Sequence, residues 1–405
     1  MNYNEALEYI HSIPKFIRPL GNAGLAGILK HLGDPHKGLK FIHIAGTNGK
    51  GSTAAIISAI LEAAGCKTGL FTSPFIEVFN ERIQINRENI ADDELAAYTE
   101  RVKNASEETG CAVSEFAFIT AMAFLYFKEK SCDIVVLETG MGGRLDATNI
   151  IERPLVSVIT SISLDHMQYL GDTIEEIAAE KCGIIKPGGT VVTYPNEGVM
   201  DIIEKYAAQN GARLIKAEKA APSEGGFIYR SKKYPLALKG EYQPQNAAVA
   251  LEAVSALRSL GIAIGEDAVM SGLKTAKWPA RFEFLKDDLV IDGGHNIDGI
   301  RALKRSLAAD GRPVILVAAM MEDKSYEECA AELSECAEYF IATELDMPRC
   351  LKAERLLECS SAPGEAIAEP SEAVKRALSM AGSEKLVCVC GSLYLAGEIR
   401  KIFAK

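Results

Sequence analysis

The chain has 405 residues, more than the roughly 100–200 expected for one domain, so its length predicts two domains. Hydrophobic residues make up 48% and charged residues 24%, a mixture typical of globular proteins, which excludes wholesale disorder. Asp and Glu outnumber Lys and Arg by 55 to 44, for a formal net charge of −11, and this balance argues against binding of nucleic acid or of a membrane surface. Local cations and helix N-termini can still hold a phosphate on an acidic protein.

The cysteines and the N-terminus indicate the cellular compartment. Ten cysteines are spread from Cys66 to Cys390 without a C-x-x-C pair, which favours reduced thiols in a cytosolic protein over a disulfide framework. The N-terminal sequence shows no basic segment followed by an apolar one, so we expect no signal peptide. The longest apolar stretch, 116–127, is shorter than the roughly 20 residues of a membrane helix. We therefore expect a cytoplasmic monomer with no nucleic-acid or membrane partner.

Strand-like and helix-like segments alternate along the first two thirds of the chain. Apolar, β-branched runs lie at 41–45, 133–138, 155–160 and 190–193, and segments with helical spacing lie at 52–65, 92–108 and 116–130. This alternation predicts a parallel sheet covered by helices on both faces. Residues 222–239 differ and predict a small antiparallel piece, which a long helix follows over about 245–260.

A second α/β series occupies the last third. Strand-like runs lie at 289–294, 313–320, 339–345 and 385–390, with helices ending near 307, around 325–336 and over 393–403. We place the join at the charged stretch Lys286–Asp288. The predicted domains are therefore residues 1–285 and residues 286–405.

The segment FIHIAGTNGKGSTAAIISAILEAAG (41–65) carries the strongest local signal. A buried-looking strand ends in a loop with Gly46, Gly49 and Gly51, and the loop opens directly into an Ala- and Ile-rich helix. Glycines let the backbone approach a ligand, the helix N-terminus adds positive potential, and Lys50 adds a full charge. These features predict a cradle for a nucleotide triphosphate; the alternative is a glycine-rich turn that merely joins strand to helix.

The spacing of this loop departs from the standard G-x-x-x-x-G-K-[ST] pattern. Ile44 stands at the first glycine position, and Gly51 separates Lys50 from Ser52. A hydroxyl of Ser52 or Thr53 is suited to hold Mg²⁺ or a phosphate oxygen. The nucleotide contacts that we assign to the loop are Asn48, Gly49, Lys50, Gly51 and Ser52.

The loop motif G-T-N-G-K-G-S resembles that of the Mur ligase superfamily, and more narrowly that of folylpolyglutamate synthases and bifunctional dihydrofolate synthases. The resemblance continues in matching order through FTSPFIEVFNERIQIN (71–86), ETGMGGRLDATN (138–149), SISLDHMQYLGDT (161–173), EKCGIIK (180–186), WPARFE (278–283), DGGHN (292–296) and GSLYLAGE (391–398). It implies a parallel-sheet P-loop-type ATPase domain followed by a smaller Rossmann-like α/β domain that ligates glutamate. The implied reaction joins L-glutamate to a folate or pteroate carboxylate through an acyl phosphate, at the expense of ATP.

An ATP-dependent ligase needs hard oxygen ligands for magnesium. The resemblance implies that Ser73 and Glu138 bind Mg²⁺ and that His166 serves a second ion. Glu138 and His166 follow predicted strands, at the end of the sheet where such folds bind ligands. Read alone, Glu138 is as readily a solvated acid at a strand end, and a lone histidine is more often a packed, hydrogen-bonded ring.

Lys181, on a predicted helix over 173–182, reads by itself as a surface lysine next to Glu180. The resemblance implies instead that Lys181 is carbamylated, which turns a cation into an anionic oxygen ligand near the magnesium. We accordingly assign Lys50, Lys181 and His166 to catalysis. Cys182 stands where the family commonly has Ala.

The resemblance also implies a pocket for the pterin-bearing substrate. Leu145, Asp146 and Ala147 would line it, although Asp146 also reads as the partner of Arg144 in a turn ion pair. The same pocket would receive Ser114, Glu115, Phe116 and Ala117. The ring of Phe116 offers a flat surface, and Ala117 stands where many relatives have Glu.

The second domain would close over the nucleotide. The resemblance assigns Asn246 to adenine, Arg281 to phosphate and Asp292 to ribose, and an Arg suits a bidentate phosphate contact. It assigns His295 and Ser392 to the incoming glutamate.

Rival interpretations were a nucleotide-hydrolysing binding module and a muramyl ligase with a UDP-linked substrate. A hydrolysing module would leave the second α/β domain unexplained. For a muramyl ligase, the roughly 40 residues ahead of the loop are few for a UDP-binding domain. Within the folate branch, the choice between dihydrofolate synthase, polyglutamate synthase and both stays open.

Overall fold

The computed structural model describes residues 1–16 and 21–404, which form two compact units. The first unit comprises Met1–Ala237 and Pro244–Ala276, and the second comprises Leu238–Gln243 and Lys277–Lys405. Within the described part of the chain, no helix combines the length and apolar character that crossing a membrane requires.

The first unit is built on an eight-stranded sheet of the order β4-β3-β2-β5-β1-β6-β7-β8. Its strands are β1 (Phe41–Ala45), β2 (Thr68–Phe71), β3 (Ile83–Ile85), β4 (Glu88–Asn89), β5 (Ile134–Glu138), β6 (Val156–Ile159), β7 (Thr190–Thr193) and β8 (Arg213–Lys216). In the sheet order, the neighbouring strands β2-β5-β1-β6-β7-β8 pair in parallel. Strands β3 and β4 add an antiparallel edge beside β2. Every residue of β1, β5 and β6 is buried, so both faces of the central sheet are covered.

Helices of this unit pack around the sheet and against one another. They are α1 (Tyr3–Ser12), α2 (Ala23–His31), α3 (Lys50–Ala63), α4 (Asp92–Thr109), α5 (Glu115–Glu129), α6 (Met167–Leu170), α7 (Ile174–Cys182), α8 (Met200–Gln209), α9 (Gln243–Ser259) and α10 (Glu266–Thr275). The predicted antiparallel piece is confirmed as a three-stranded sheet of β9 (Ala221–Ser223), β10 (Gly226–Tyr229) and β11 (Lys232–Pro235).

The second unit contains a six-stranded sheet of the order β12-β13-β17-β14-β15-β16. Its strands are β12 (Glu283–Lys286), β13 (Leu289–Ile291), β14 (Val314–Ala318), β15 (Tyr339–Ala342), β16 (Gly364–Ala366) and β17 (Leu386–Cys390). All its pairs are parallel except β12 with β13. Its helices are α11 (Ile297–Asp310), α12 (Tyr326–Ser334), α13 (Ala353–Glu358), α14 (Pro370–Ala381) and α15 (Leu393–Phe403). The α/β architecture expected for both parts of the chain is confirmed.

The boundary between the units differs from the predicted one. The charged stretch Lys286–Asp288 does not join the units, because Lys286 ends β12 and the chain turns directly into its antiparallel partner β13. Residues 277–285 consequently belong to the second unit. The structure moves the boundary from residue 285 to residue 276, and it also assigns Leu238–Gln243 to the second unit.

Helix α3, which leaves the phosphate loop, is buried along most of its length and crosses α10 at a glycine. A Cβ on Gly272 would lie 2.5 Å from the Cα of Ile60 and 2.6 Å from its backbone nitrogen. Such distances are below any real contact, and the opposing atoms belong to the backbone, which cannot swing aside. The close approach of α10 to α3 therefore requires glycine at this position.

We predict that Gly272→Ala lowers the free energy of unfolding by about 1–2 kcal/mol. Alanine is normally favoured over glycine inside a helix by about 1 kcal/mol, but overpacking typically costs about 1–3 kcal/mol, and here a backbone resists the methyl group. Urea denaturation of both proteins measures the difference. Ser271→Ala, at an exposed neighbouring position, is the control and should stay within about 0.5 kcal/mol; equal stability of Gly272→Ala and wild type would contradict the packing argument.

Candidate active site

The predicted magnesium and phosphate residues gather at one edge of the first sheet. Gly46 follows β1, Ser73 follows β2, Glu138 ends β5, and His166 lies beyond β6. These strands are parallel and consecutive in the order β2-β5-β1-β6. Their carboxyl ends therefore lie side by side, at the edge where doubly wound sheets bind ligands.

Two glycines of the phosphate loop are required by close neighbours. A Cβ on Gly46 would lie 1.8 Å from the Oγ1 of Thr160, and one on Gly49 would lie 2.4 Å from the Oδ1 of Asn246. Gly49 also has a φ of +85°, which glycine adopts without strain, and it is the N-cap of α3. The buried side chain of Asn246, on α9, thus lies against the phosphate loop.

Hydroxyl groups fasten the loop to the segment after β6. The Thr47 amide donates to the Ser161 carbonyl at 2.7 Å, and the Thr47 hydroxyl donates to the Ser163 carbonyl at 3.0 Å. The Ser161 hydroxyl in turn donates to the Asn48 carbonyl at 3.2 Å. Neither Thr47 nor Ser163 was among the predicted site residues; the signal that could have found them is a hydroxyl-rich segment after a strand neighbouring the loop.

Two lysine side chains meet at one carbonyl oxygen. The Nζ of Lys181 donates to the Gly46 carbonyl at 2.9 Å, and the Nζ of Lys50 donates to the same oxygen and to the Thr47 carbonyl, each at 3.2 Å. Lys181 is only 3% exposed, so its interpretation as a surface lysine is wrong. Burial, and secondarily the charge of Lys50, lowers the pKa of Lys181 to about 7.

Glu138 is a buried acid. It is 3% exposed, its Oε2 accepts the Ser73 amide at 3.3 Å, and its Oε1 lies 4.0 Å from the Nζ of Lys50. Its interpretation as a solvated strand-end acid is therefore wrong. Over residues 1–16 and 21–404, no three His, Cys, Asp or Glu side chains converge as metal ligands. Any divalent ion here must also draw on hydroxyl, phosphate or water oxygens, as Mg²⁺ commonly does.

The environment of His166 differs from that of the buried Glu138. Its φ is +53°, it precedes α6, and its side chain is 43% exposed, so the alternative of a packed ring is wrong. Its amide donates to the Oδ1 of Asp165 at 2.8 Å, and its Nε2 lies 4.0 Å from the Oδ2 of Asp165. Within the described residues, neither His166 nor Glu138 belongs to a cluster of three or more His, Cys, Asp or Glu side chains that could hold a metal ion.

Asp146 organises the loop that follows β5. Its Oδ2 accepts the amides of Gly140 and Met141, both at 2.9 Å, and its Oδ1 accepts the amide and hydroxyl of Thr148 at 3.0 and 2.5 Å. Burial raises the pKa of Asp146, and these hydrogen bonds oppose the rise. Its ion pair with Arg144 does not form, since Arg144 instead binds a carboxylate and a phenol on α7 and α8.

Those partners of Arg144 are specific. Its Nε donates to the Oε1 of Glu180 at 3.1 Å, and its Nη2 donates to the Tyr206 hydroxyl at 3.0 Å. Between Arg144 and Asp146, Leu145 is 52% exposed, whereas Ala147 is buried in the core. Of the predicted pocket residues in this loop, Leu145 is therefore the one whose side chain faces solvent.

The start of α5 supplies the other predicted pocket residues. The Ser114 hydroxyl oxygen accepts the Ala117 amide at 3.3 Å and caps the helix, and a carboxylate oxygen of Glu115 lies 3.0 Å from the Nδ1 of His11. The ring of Phe116 lies so close to Gly140 that a Cβ there would be 2.7 Å from its Cζ. The structure thus brings Phe116 to the loop of Asp146, while Ser114, Glu115 and the buried Ala117 serve the start of the helix.

In the second unit, Asp292 follows β13 as an organising carboxylate. Its Oδ2 accepts the Tyr242 hydroxyl at 2.6 Å and the Phe282 amide at 2.9 Å, and its Oδ1 accepts the Gly294 amide at 2.7 Å. Burial raises the pKa of Asp292, and the charge of Arg281 opposes the rise. Tyr242 lies 50 residues away in the sequence, with no motif to mark it.

The remaining predicted residues of this unit surround Asp292. A Cβ on Gly293 would lie 2.5 Å from the Nη1 of Arg281, and the Nδ1 of His295 lies 2.9 Å from the Gly293 carbonyl. Ser392 follows β17, which pairs with β13, and its hydroxyl oxygen accepts the Tyr394 amide at 3.2 Å. Arg281, Asp292, His295 and Ser392 are thus collected at one edge of the second sheet.

Comparisons with known proteins agree with this geometry. Residues 44–254 match the Mur ligase middle domain, and residues 280–393 match the Mur ligase glutamate ligase domain. The dihydrofolate synthase/folylpolyglutamate synthase of Bacillus subtilis is 38% identical over 98% of each chain. Escherichia coli FolC in complex with DHPP and ADP superposes with a TM-score of 0.90 at 28% identity, covering 99% of this chain and 97% of that one.

A further solved structure is the bifunctional folylpolyglutamate synthase/dihydrofolate synthase of Yersinia pestis complexed with AMPPNP and Mn ion. It has a TM-score of 0.90 at 29% identity and covers 99% of this chain and 98% of that one. Similarity at this level extends over the full length of both units. The chain belongs to the dihydrofolate synthase/folylpolyglutamate synthase family of the Mur ligases, enzymes that form an amide bond at the expense of ATP.

Proposed function

We propose that this protein joins the α-amine of L-glutamate to the carboxylate of a folate-type acceptor, either dihydropteroate, tetrahydrofolate or both. The observation that carries the proposal is the phosphate loop itself, in which Lys50 lies 4.0 Å from the buried carboxylate of Glu138. A cation for a transferring phosphoryl group and an acid for its metal ion thus stand together at the ligand-binding edge of the sheet.

The reaction proceeds in two steps. The substrate carboxylate attacks the γ-phosphorus of ATP, which gives an acyl phosphate and releases ADP. The amine of glutamate then attacks the acyl carbon, a tetrahedral intermediate forms, and phosphate leaves. Lys50 and the amides at the start of α3 stabilise the charge that develops on the phosphoryl oxygens.

No protein nucleophile is needed. The nearest cysteine in sequence to Lys181 is Cys182, which is fully buried, and burial raises the pKa of its thiol to about 12. A thiol with that pKa carries almost no thiolate at neutral pH. Catalysis on this site is therefore assigned to positioning and charge stabilisation.

The residues proposed for Mg²⁺ are Glu138 and Ser73, with His166 at a second ion. Their donor set fits a hard cation, because a buried carboxylate, a hydroxyl group and phosphate oxygens are the hard ligands that Mg²⁺ prefers. The hydroxyl of Thr53, fully buried in the first turn of α3, has no hydrogen-bond partner, as expected for a group that awaits a ligand. When bound, the ion would polarise the phosphoryl group and neutralise its charge.

We further propose that Lys181 is carbamylated. A buried amine that shares a carbonyl oxygen with Lys50 loses its proton readily, and the neutral amine can attack CO₂. The nitrogen forms a bond to the carbon of CO₂ and releases one proton, which leaves an anionic carbamate beside Lys50. The carbamate replaces a like-charge contact with an attractive one and presents oxygen atoms to the metal site.

The pterin-bearing end of the acceptor is assigned to the pocket of Phe116 and the Asp146 loop. Phe116 would offer an aromatic surface, and Leu145 would offer an exposed apolar side chain on the Asp146 loop. Asp146 and Ala147 would shape this pocket mainly through the backbone that they hold. Ser114, Glu115 and Ala117 would contribute through the first turn of α5.

The nucleotide and glutamate are assigned to the remaining site residues. Asn246 lies against Gly49 and is proposed to contact adenine. In the second unit, Arg281 and Asp292 are proposed for the phosphate and ribose. His295 and Ser392, beside β13 and β17, are proposed for the glutamate.

The direct test offers purified protein Mg-ATP and radiolabelled glutamate with dihydropteroate, and separately with tetrahydrofolate. We expect label to enter at least one acceptor, with one ADP released for each bond formed. Lys50→Ala should lose at least about 100-fold in kcat, since a charge on the transferring group is removed. Lys205→Ala, exposed on α8, is the matched control; ADP release indifferent to glutamate and acceptor would instead identify a nucleotide-hydrolysing module.

We predict that Glu138→Gln weakens divalent-metal binding at least about tenfold, because the substitution keeps the shape of the side chain but removes its charge. Electron paramagnetic resonance of Mn²⁺, titrated in the presence of a non-hydrolysable ATP analogue, measures the affinity. Glu224→Gln, at an exposed position, should bind Mn²⁺ like the wild type. Unchanged affinity in Glu138→Gln would refute the assignment.

Carbamylation of Lys181 predicts a carbamate signal when the protein is equilibrated with ¹³CO₂ and observed by ¹³C NMR. The pKa of Lys181 is lowered to about 7, so the neutral amine prevails above that pH, and the signal should grow from about pH 6 to about pH 8. Lys181→Met should lose the signal, whereas Lys205→Met should keep it. A wild-type spectrum without a carbamate resonance at the higher pH would exclude the modification.

A further inference from the structure

A histidine occupies the centre of the buried sheet, where the reaction as described makes no use of it. His43 is the middle residue of β1, is fully buried, and stands opposite Leu137 of β5 and Ser157 of β6. Burial, with a smaller contribution from Lys186, lowers the pKa of His43 to about 3, so the ring is neutral. An apolar side chain would fill this position without a polar group to satisfy.

The ring makes one hydrogen bond, and its direction can be deduced. The Nε2 of His43 lies 2.8 Å from the Oγ1 of Thr148, and that hydroxyl gives its only proton to the Oδ1 of Asp146 at 2.5 Å. The hydroxyl oxygen must therefore accept from His43, which places the ring proton on Nε2. The Nδ1 is then an unprotonated, buried nitrogen, and it has no hydrogen-bond partner.

This arrangement leaves one ring nitrogen unsatisfied, which costs free energy, while the other nitrogen orients a hydroxyl. The proton of Thr148 is thereby directed to Asp146. Asp146 in turn accepts the amides of Gly140 and Met141 and so closes the loop between them. His43 stands at the inner end of this chain of hydrogen bonds, and the loop stands at its outer end.

The loop that the chain closes lies between two parts of the proposed site. Gly140 abuts the ring of Phe116, and a Cβ on Gly143 would lie 2.9 Å from the carbonyl oxygen of Lys181. A displacement of this loop would therefore alter the surface proposed for the pterin. The phosphate loop is held by different hydrogen bonds, which Thr47 donates to the segment after β6.

We infer that His43 is a positioning residue for the folate-type acceptor, which acts through Thr148 and Asp146 on the loop 140–148. The inference rests on the proposed function and adds a residue that positions the loop of the acceptor pocket. Removing the donor at Nε2 should loosen the acceptor pocket and leave the nucleotide site unaffected.

Three variants test this role. His43→Leu fills a similar volume without a donor, His43→Gln keeps an N–H at a position near that of Nε2, and Thr148→Val removes the hydroxyl with little change of shape. We expect the KM for the acceptor to rise about 5- to 10-fold in His43→Leu and in Thr148→Val, as the loss of one hydrogen bond implies. The KM for ATP should stay within about twofold, and His43→Gln should recover most of the acceptor affinity.

Equal increases in both KM values, or a glutamine variant no better than the leucine variant, would show that His43 is only part of the core. Should His43→Leu fail to fold, as judged by its circular dichroism, Thr148→Val and His43→Gln still decide between the outcomes.

A measurement without turnover separates this inference from the proposed function. Hydrogen exchange of the Gly140, Met141 and Thr148 amides, which all donate to Asp146, should be about 5- to 10-fold faster in His43→Leu. The Thr47 amide should exchange at the wild-type rate. Unchanged exchange at the three amides overturns the positioning role. A wild-type protein that ligates neither acceptor overturns the proposed function and leaves the exchange result to decide the role of His43.

Discussion

Two ammonium groups share the carbonyl oxygen of Gly46, and much of the site follows from that crowding. Lys181 is almost entirely buried and Lys50 largely so, so water screens their repulsion poorly. Three carboxylates offset it: Glu138 lies 4.0 Å from Lys50, and the charges of Asp165 and Asp146 raise the pKa of Lys181 against the larger effect of burial. Lys50 and the backbone amides at the start of α3 can still hold an anion at this edge, even though the whole protein carries a net charge of −11.

The carboxylates on the two sheets are used in contrasting ways. Asp146 and Asp292 each accept several hydrogen bonds from backbone amides and hydroxyls, and each fixes a glycine-rich turn after a strand. Glu138 accepts one amide and faces a lysine. The first kind of acid fixes a turn of the backbone through its hydrogen bonds, whereas the second places a carboxylate beside the lysine of the phosphate loop. Local sequence does not distinguish these two uses, since Glu138 and Asp292 both follow apolar runs.

Much of the fold was predictable because its central strands and helices carry strong local patterns. The strands at 41–45 and 190–193 and the helix at 393–403 have the predicted bounds. Short elements such as β2 (TGLF) were not predicted, because four residues with a glycine show neither the helical nor the strand periodicity of apolar residues. The hairpin of β12 and β13 was not predicted either, since its charged turn resembles an interdomain join.

The site was predictable as a set of residues but not as a set of contacts. Motif order named Lys50 and Glu138, which the structure places 4.0 Å apart at one sheet edge, and Asp146, which closes the loop after β5. The hydrogen bonds of Lys181, Arg144 and His43 reach residues 36 to 135 positions away along the chain. Contacts over such separations are created by the fold, and a local pattern has no means of encoding them.

Helix α3 has a consequence for how a nucleotide is received. Ten of its 14 residues are buried, its first turn follows a loop held by hydroxyl groups, and α10 packs at Gly272 directly against the backbone of Ile60. Such a loop has little conformational freedom left to lose. A flexible loop loses conformational entropy each time it binds a ligand. Here that entropy is lost once, during folding, so a larger part of the contact energy with the phosphates contributes to affinity.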